Sequence, residues 1–395
     1  MRQINIITLQ QETILKTQDI LIIGGGIGGI SAAIALRNKG FAVKVVELRA
    51  DMHSSVYGVG IIQPVNALRA LAAIGCADAC MEAGYATRAW GKVLDAEGNE
   101  VREIPGATIP DCNLPPMNGV TRPKLHEILT KKAREVGVVI EYNKTFTAIA
   151  DNGAEVRVDF SDGSSGVYDF VVGADGTYSK VRPLVLEVDL APTYNGQSAF
   201  RVNIPRRIAG QMEIDRIILQ RGPEGMAGYV PIGPELAYMF YNSEWAPGTY
   251  LEQATMAGVL RDKLKGFGGL TAAVRDHHIH DSDGIVFRPI DWMIAPAPWH
   301  RNRVVLLGDA VHAFLPHLGQ GAAQAIEDGV VLAECLASSR DPEVAFGEYA
   351  ERRHERCRLV IQCCVDIGEW EKGRKPGFDN VAATQKVIET MVQPI

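Results

Sequence analysis

The sequence predicts an α/β protein. Its core is a doubly wound parallel sheet, interrupted by a mostly antiparallel β segment and followed by C-terminal helices. Three observations predict this. The short apolar run Ile20-Leu-Ile-Ile23 leads directly into a glycine cluster and a helix rich in small residues. Two later apolar runs, at Val171-Val172 and Val304-Val-Leu-Leu307, also end in glycine and aspartate. Between those two, residues 196–243 carry several strand-like runs. Continuous apolar strands suit a parallel sheet covered on both faces, and strands alternating with helices give the doubly wound class.

Taken in order, residues 1–18 read as a polar extension. Ile20–Ile23 is the first strand. Ile30-Ser-Ala-Ala-Ile-Ala-Leu36 is the first helix, and Val43-Lys-Val-Val-Glu47 is the next strand. Residues 65–83 and 122–136 read as helical, the latter starting at Arg122-Pro123. The stretch 139–172 alternates around the turn Ser161-Asp-Gly-Ser-Ser165, which predicts a small antiparallel meander. Strands are expected at Ile217-Ile-Leu219, Tyr229-Val-Pro-Ile232 and Ala237-Tyr-Met-Phe-Tyr241. A helix from about Gln320 to Ala337 follows the third apolar run, with long helices after it.

Composition narrows the function. The chain has 395 residues, 47% hydrophobic and 22% charged, which is ordinary for a globular protein and excludes a disordered one. Its 40 basic and 47 acidic residues give a net charge of −7 without a basic run, a poor match to nucleic acid. No apolar run reaches about 18 residues, so no membrane span is expected. Seven cysteines with no Cys-x-x-Cys pattern argue against a disulfide framework or zinc site, and a cytoplasmic location is the default. The run His277-His278-Ile279-His280 falls at an expected helix end, where histidine is favoured anyway, and no metal is expected.

The first chemical constellation is Gly24-Gly25-Gly26-Ile27-Gly28-Gly29, a G-x-G-x-x-G spacing between a strand and a helix. Such glycines permit a tight turn, close approach of backbone to a pyrophosphate, and helix-on-strand packing. The helix N-terminus supplies free N–H groups to the phosphates. Glu47, at the end of the next strand, suits an adenosine ribose. The second constellation is Gly173-Ala-Asp175-Gly176, running on to Ser179 and Arg182. The third is Gly308-Asp309, followed by His312, Pro316, His317 and Gly319-Gln320-Gly321. Each of these two also reads more simply as a strand-to-helix turn, with Ser179 or Asp175 as a cap. His312 reads as a packing and hydrogen-bonding residue.

With these motifs in this order, residues 19 to 365 resemble the single-component FAD-dependent aromatic hydroxylases, the para-hydroxybenzoate and salicylate hydroxylase group. The resemblance implies a Rossmann-like FAD-binding domain (19–190 and 285–340) with an inserted, mostly antiparallel β substrate domain (191–284) and a C-terminal helical segment (341–395). It assigns Gly24, Gly26, Ile27, Gly28, Gly29 and Glu47 to the ADP half of a non-covalently held FAD. Arg122 sits where the family places a cofactor-contacting arginine. Asp175 and Gly176 match an element serving FAD and the nicotinamide, and Gly308 and Asp309 match the ribityl-binding element. Pro316, Gly319, Gln320 and Gly321 would flank the isoalloxazine, where a helix N-terminus stabilises charge on the reduced ring.

The implied reaction is hydroxylation of a small phenol-type aromatic or N-heteroaromatic, using NADH or NADPH and O2 through a flavin C4a-hydroperoxide. With only one complete dinucleotide fingerprint, the nicotinamide binds transiently. Arg201, Tyr229, Tyr241 and His317 are the expected substrate contacts, each with an equal structural reading. Two positions depart from some members: Ile62 stands where they carry a catalytic histidine, and Leu48 follows Glu47 where they carry arginine. A monomer or homodimer is expected. The alternatives are a monooxygenase or epoxidase acting on a larger polycyclic compound, and a flavin-binding protein without catalysis.

Overall fold

The computed structural model describes residues 18–51, 59–110, 112–208 and 213–395. Apart from Gln18, the predicted N-terminal extension lies outside the described residues. Two sheets organise the molecule. The first is six-stranded. Five of its strands are parallel, in the order Val304–Leu306, Phe170–Gly173, Asp19–Ile23, Ala42–Val46 and Val139–Glu141, with His300–Arg301 antiparallel at one edge. Chain order reverses across Asp19–Ile23, so this strand and Phe170–Gly173 flank the switch point, where an open α/β sheet leaves a crevice at its carboxyl end. Ile20 to Ile23 are all buried, as a strand covered on both faces demands.

The first helix, Ile27–Asn38, is buried nearly all round. Its small residues let the helix Gly321–Ser338 approach closely: a Cβ at Gly329 would stand 2.7 Å from the Ala32 backbone. Helix Arg122–Glu135 packs nearby, starting from a Thr121 cap and a proline in its first turn. The expected helical stretch 65–83 forms two helices, Val65–Ala73 and Ala77–Ala83, separated at Gly75 (φ +70°). The antiparallel meander is present as Phe146–Asp151, Val156–Phe160 and Ser165–Tyr168, on the return to the parallel sheet.

The second sheet is eight-stranded, and here the expected boundaries need correction. It does not close within 191–284. Gly91–Leu94 and Glu100–Ile104 join one edge, and Val286–Ile294 and His312–Ala313 complete the other. The sheet is mixed, because Ile217–Arg221 pairs parallel with Gly91–Leu94 while the other pairings are antiparallel. These edge strands are short or partly polar, so they lack the alternation that marks the central strands. One face packs on helices Met256–Lys263 and Gly269–His277 through Phe200, Tyr229, Tyr241 and Leu260. The other face looks back toward the parallel sheet. The helices Pro342–Glu371 and Asn380–Met391 complete the chain.

Candidate active site

The three glycine turns, two of them carrying an aspartate, meet because three adjacent parallel strands end on the same side of the sheet. Asp19–Ile23 feeds Gly24, Phe170–Gly173 feeds Asp175, and Val304–Leu306 feeds Gly308 and Asp309. Gly24 adopts φ +111°, and a Cβ there would collide with the Ala174 carbonyl; one at Gly29 would collide with the carbonyl of Gly24. Gly26 has open space where a Cβ would stand. The helix beginning at Ile27 has no side-chain cap and no acid in its first turn. Its leading N–H groups and positive dipole end therefore suit an anion. Glu47 accepts from the Gly25 N–H at 2.7 Å and the Arg49 N–H at 2.9 Å, pinning the loop to the second strand. Buried His126 lies 2.7 Å from the Gly25 carbonyl through Nε2.

The two aspartate turns do different work. Asp175 accepts from the Ser179 hydroxyl at 2.5 Å and from the N–H groups of Lys180 and Val181 at 2.6 and 3.2 Å. Its carboxylate is engaged within its own turn, ahead of the helix Arg182–Leu186, whose N-cap Val181 has no side-chain cap bond; the Ser179 hydroxyl accepts from the Arg182 N–H at 2.9 Å. Ala174 and Gly176 line the cavity beside it. Asp309 faces the cavity and is held by one long bond from Thr177, at 3.4 Å. Surrounding protein desolvates this carboxyl and raises it above the usual carboxylate range, with His312 and Arg122 pulling the other way. Arg182 joins the turns, donating to the carbonyls of Thr177 and Ala310.

After the third turn, Pro316–Leu318 forms a short 3-10 turn that ends at Gly319 (φ +62°). A Cβ at Gly319 would press on Ile62 at 2.9 Å, so glycine suits this position twice over. Pro316, Gly319 and Gly321 line the cavity. The helix Gly321–Ser338 has no side-chain cap, so a second helix N-terminus opens there. Gln320 points away from the cavity, is buried, and exchanges hydrogen bonds with Asn66. His317 also turns away: its ring is buried 3.4 Å from Glu371, which accepts from Gln197.

The eight-stranded sheet forms the facing wall. Arg201 and Tyr238 line the cavity from it. Tyr229 and Tyr241, expected at the substrate, require correction. Both are fully buried on the opposite face, Tyr229 donating to Thr271 at 2.7 Å and Tyr241 packing edge-on against Phe267. Strand geometry explains the difference. Side chains alternate faces, so Tyr238 and Tyr241 point oppositely, and Tyr229 pairs with Met239, on the same face as Tyr241. Arg201 pairs with Phe240 and therefore shares the face of Tyr238. The alternation in Ala237-Tyr-Met-Phe-Tyr241 could have separated the tyrosines, but only the register with Arg201 identifies which face meets the cavity.

The cavity has a volume of about 350 Å3, with apolar walls from Ile61, Ile62, Phe314 and Leu315 that sequence reasoning did not single out as site residues. Its electrostatics are weighted positive. Protein packed around the Arg122 guanidinium, which stays open to the cavity, lowers it from its ordinary value; Asp309 opposes this and the nearby positive charge of Arg201 adds to it. Behind the wall, Asp328 accepts from the Gly308 N–H at 2.9 Å, Arg353 Nε at 2.7 Å, and lies 2.7 Å from His312 Nε2. His312, Asp328 and Cys357 are close enough to hold a cation, but the Arg353 guanidinium already supplies the positive charge. No helix among the described residues is long and apolar enough to cross a membrane.

A dinucleotide cofactor fits this site on its own features: an open glycine loop, two uncapped helix starts and glycines where a side chain would intrude. Comparison with known proteins agrees. Residues 17–363 match the FAD binding domain family. A Bacillus subtilis (strain 168) protein, provisionally named FAD-dependent monooxygenase YetM, is 33% identical over 362 residues, covering 92% of this chain and 96% of its own. The 6-hydroxynicotinate 3-monooxygenase of Pseudomonas fluorescens is 30% identical, over 88% of this chain and 90% of its own. In fold, the chain is similar to Klebsiella pneumoniae HpxO, solved with FAD and uric acid (TM-score 0.80, 22% identity, 95% of this chain and 97% of that one). The chain belongs to the FAD binding domain family, among its FAD-dependent monooxygenases and aromatic hydroxylases.

Proposed function

We propose that the protein holds FAD non-covalently and hydroxylates a small phenol-type aromatic or N-heteroaromatic compound, with NADH or NADPH as electron donor and O2 as oxidant. The observation that carries this reading is the placement of Arg201 and Tyr238, from a separate sheet, across the cavity from the converging glycine turns. Gly26 and Ile27–Gly29 would hold the diphosphate, and Glu47 retains acceptor capacity for a ribose hydroxyl. Asp309 would take the ribityl hydroxyls, beside Arg122. Pro316, Gly319 and Gly321 would lie along the flavin ring. Bound FAD supplies the electron transfer and oxygen activation.

The chain's own residues bind, orient and exclude water. Arg201 presents a guanidinium suited to a carboxylate or a ring oxygen carrying negative charge. Burial raises the Tyr238 phenol, so it stays protonated near neutral pH and donates a hydrogen bond; the Arg201 charge pulls the other way. Holding negative charge on a ring oxygen enriches the ring at its neighbouring carbons, the condition for accepting an electrophilic oxygen. The apolar walls limit access of water to that step. On its charge and cysteine content, we place the protein in the cytoplasm; a monomer or homodimer is the assembly proposed.

The test is NADH and NADPH oxidation by the FAD-loaded protein against phenols, aromatic acids and hydroxypyridines, with products weighed by mass spectrometry. Substrate-stimulated oxidation with gain of one oxygen is expected. A yellow protein that oxidises no nicotinamide with any of them would favour the non-catalytic reading.

A further inference from the structure

The C-terminal helix Asn380–Met391 begins beyond the residues matched to the family, and it lines none of the cavity. Its last turn nevertheless ends on a buried ionic cluster. Arg356 donates to the carbonyls of Met391 (2.5 Å) and Thr390 (3.3 Å), and Arg69 to those of Val392 (2.9 Å) and Gln393 (3.1 Å). Both guanidinium groups also reach Glu327, Arg356 at 3.2 Å and Arg69 at 3.5 Å. Cations here neutralise the negative end of the helix dipole and a buried carboxylate together.

Glu327 is fully buried on the helix that opens at Gly321. Its Oε1 accepts from Asn66 Nδ2 at 3.2 Å, and the same amide donates to Gln320 Oε1 at 3.0 Å. Gln320 returns a bond to Asn66 Oδ1 at 3.2 Å. Gln324 closes the circuit, donating to Gln320 Oε1 at 2.9 Å and lying 3.3 Å from the Met391 sulfur. Gln320 sits between Gly319 and Gly321, both on the cavity wall. A short run of buried polar contacts thus joins the end of the chain to the loop that faces the cofactor.

We propose that Arg69 and Arg356 are positioning residues for the flavin loop: they fasten the last turn of the C-terminal helix over Glu327 and thereby fix Gln320 and the glycines beside it. This rests on the reading of the cavity as the FAD site. Buried polar networks hold one geometry when every member is satisfied, and removing one partner leaves the others to rearrange around the vacant bond. Arg353 holds Glu327 Oε2 at 2.8 Å, so loss of either outer arginine bares Oε1 alone; that oxygen then draws more strongly on Asn66 and weakens the hold of Asn66 on Gln320.

The experiment is FAD titration of purified, cofactor-stripped protein, read by flavin fluorescence and by the fine structure of the flavin absorption band, with apoprotein fold followed by circular dichroism. Arg356→Gln should weaken FAD binding about tenfold and blur the bound-flavin band, and Arg356→Lys should recover part of the loss because it keeps the charge but not the forked donors. Asp379→Asn provides the contrast. It loosens the other end of the same helix, where Asp379 caps Ala382 and pairs with Arg102, yet it has no route to Gln320. It should leave FAD affinity within about twofold. Equal effects of Arg356→Gln and Asp379→Asn, or no effect of Arg356→Gln in folded protein, would overturn the proposal. Should Arg356→Gln not fold, Arg69→Gln, at a less buried position, is judged by the same criteria. Failure of the unmodified protein to bind FAD would instead remove the cofactor reading itself.

Discussion

The turn at Gly173–Val181 and the turn at Leu307–Val311 look alike in sequence, each an apolar strand running into glycine and aspartate. In the fold their carboxylates differ. Asp175 is saturated by one hydroxyl and two backbone N–H groups of its own turn. Asp309 stands over the cavity with one long bond and a raised pKa. What separates them is the supply of local donors. The chain after Asp175 curls back and presents Ser179, Lys180 and Val181. The chain after Asp309 continues into His312–Ala313 at the edge of the other sheet, and Asp328 takes the Gly308 N–H from outside. A carboxylate that its own loop does not satisfy is available to a ligand.

Asp309→Ala should break the contrast most severely. A hydrogen bond to a charged group is worth about 1.5–3 kcal/mol, so FAD affinity should fall about 10- to 100-fold, measured as cofactor content and by titration. A fully loaded, fully active variant would remove Asp309 from the site. Asp175→Ala should act on the turn instead, costing about 1–2 kcal/mol of stability with a smaller loss of FAD. Greater FAD loss than in Asp309→Ala, with an unchanged melting temperature, would invert the assignment.

A second pair sharpens the same distinction on the opposite wall. Tyr238→Phe should lower kcat/KM up to about tenfold through loss of one hydrogen bond of roughly 0.5–1.5 kcal/mol. Tyr241→Phe, on the far face, should leave kinetics unchanged. Equal kinetic losses from the two would show that the face assignment does not govern substrate contact.

The smallest expected effect concerns pH. Asp309 is open to solvent at the cavity, yet the protein packed around its carboxyl displaces water from it, so the folded apoprotein holds its proton more tightly than the unfolded chain does. That contribution to stability is full below the ordinary aspartate range and is lost as pH rises through the raised value. Asp309→Asn cannot ionise, so its apoprotein should melt above the unmodified apoprotein near pH 7, with the gap closing below about pH 4. A gap that widens toward acid would contradict the sign.

Much of the nucleotide-binding half was legible because its signals are local. Gly24, Gly26 and Gly29 follow a buried strand and precede a helix, and each conformational demand arises within a few residues of the glycine that meets it. The sheet that forms the opposite wall was legible only as strands. Gly91–Leu94 and Glu100–Ile104 are distant in sequence from the strands they join. His317 and Gln320 sit inside the flavin-side motif, yet both turn inward, His317 toward Glu371, 54 positions on, and Gln320 toward Asn66, 254 positions back, partners that packing of distant helices brings to them.

The sequence by itself determined that three strands end in glycine, two of them with an aspartate, and that the first of them opens a dinucleotide-binding turn, because backbone sterics and helix-end electrostatics are written in neighbouring residues. Only the tertiary structure decided that Asp309 faces the cavity while Asp175 serves its own loop. It also decided that Tyr238, and not Tyr229 or Tyr241, joins Arg201 on the wall that faces the glycine turns. Those outcomes depend on strand register and on donors brought from far along the chain, which no local pattern encodes.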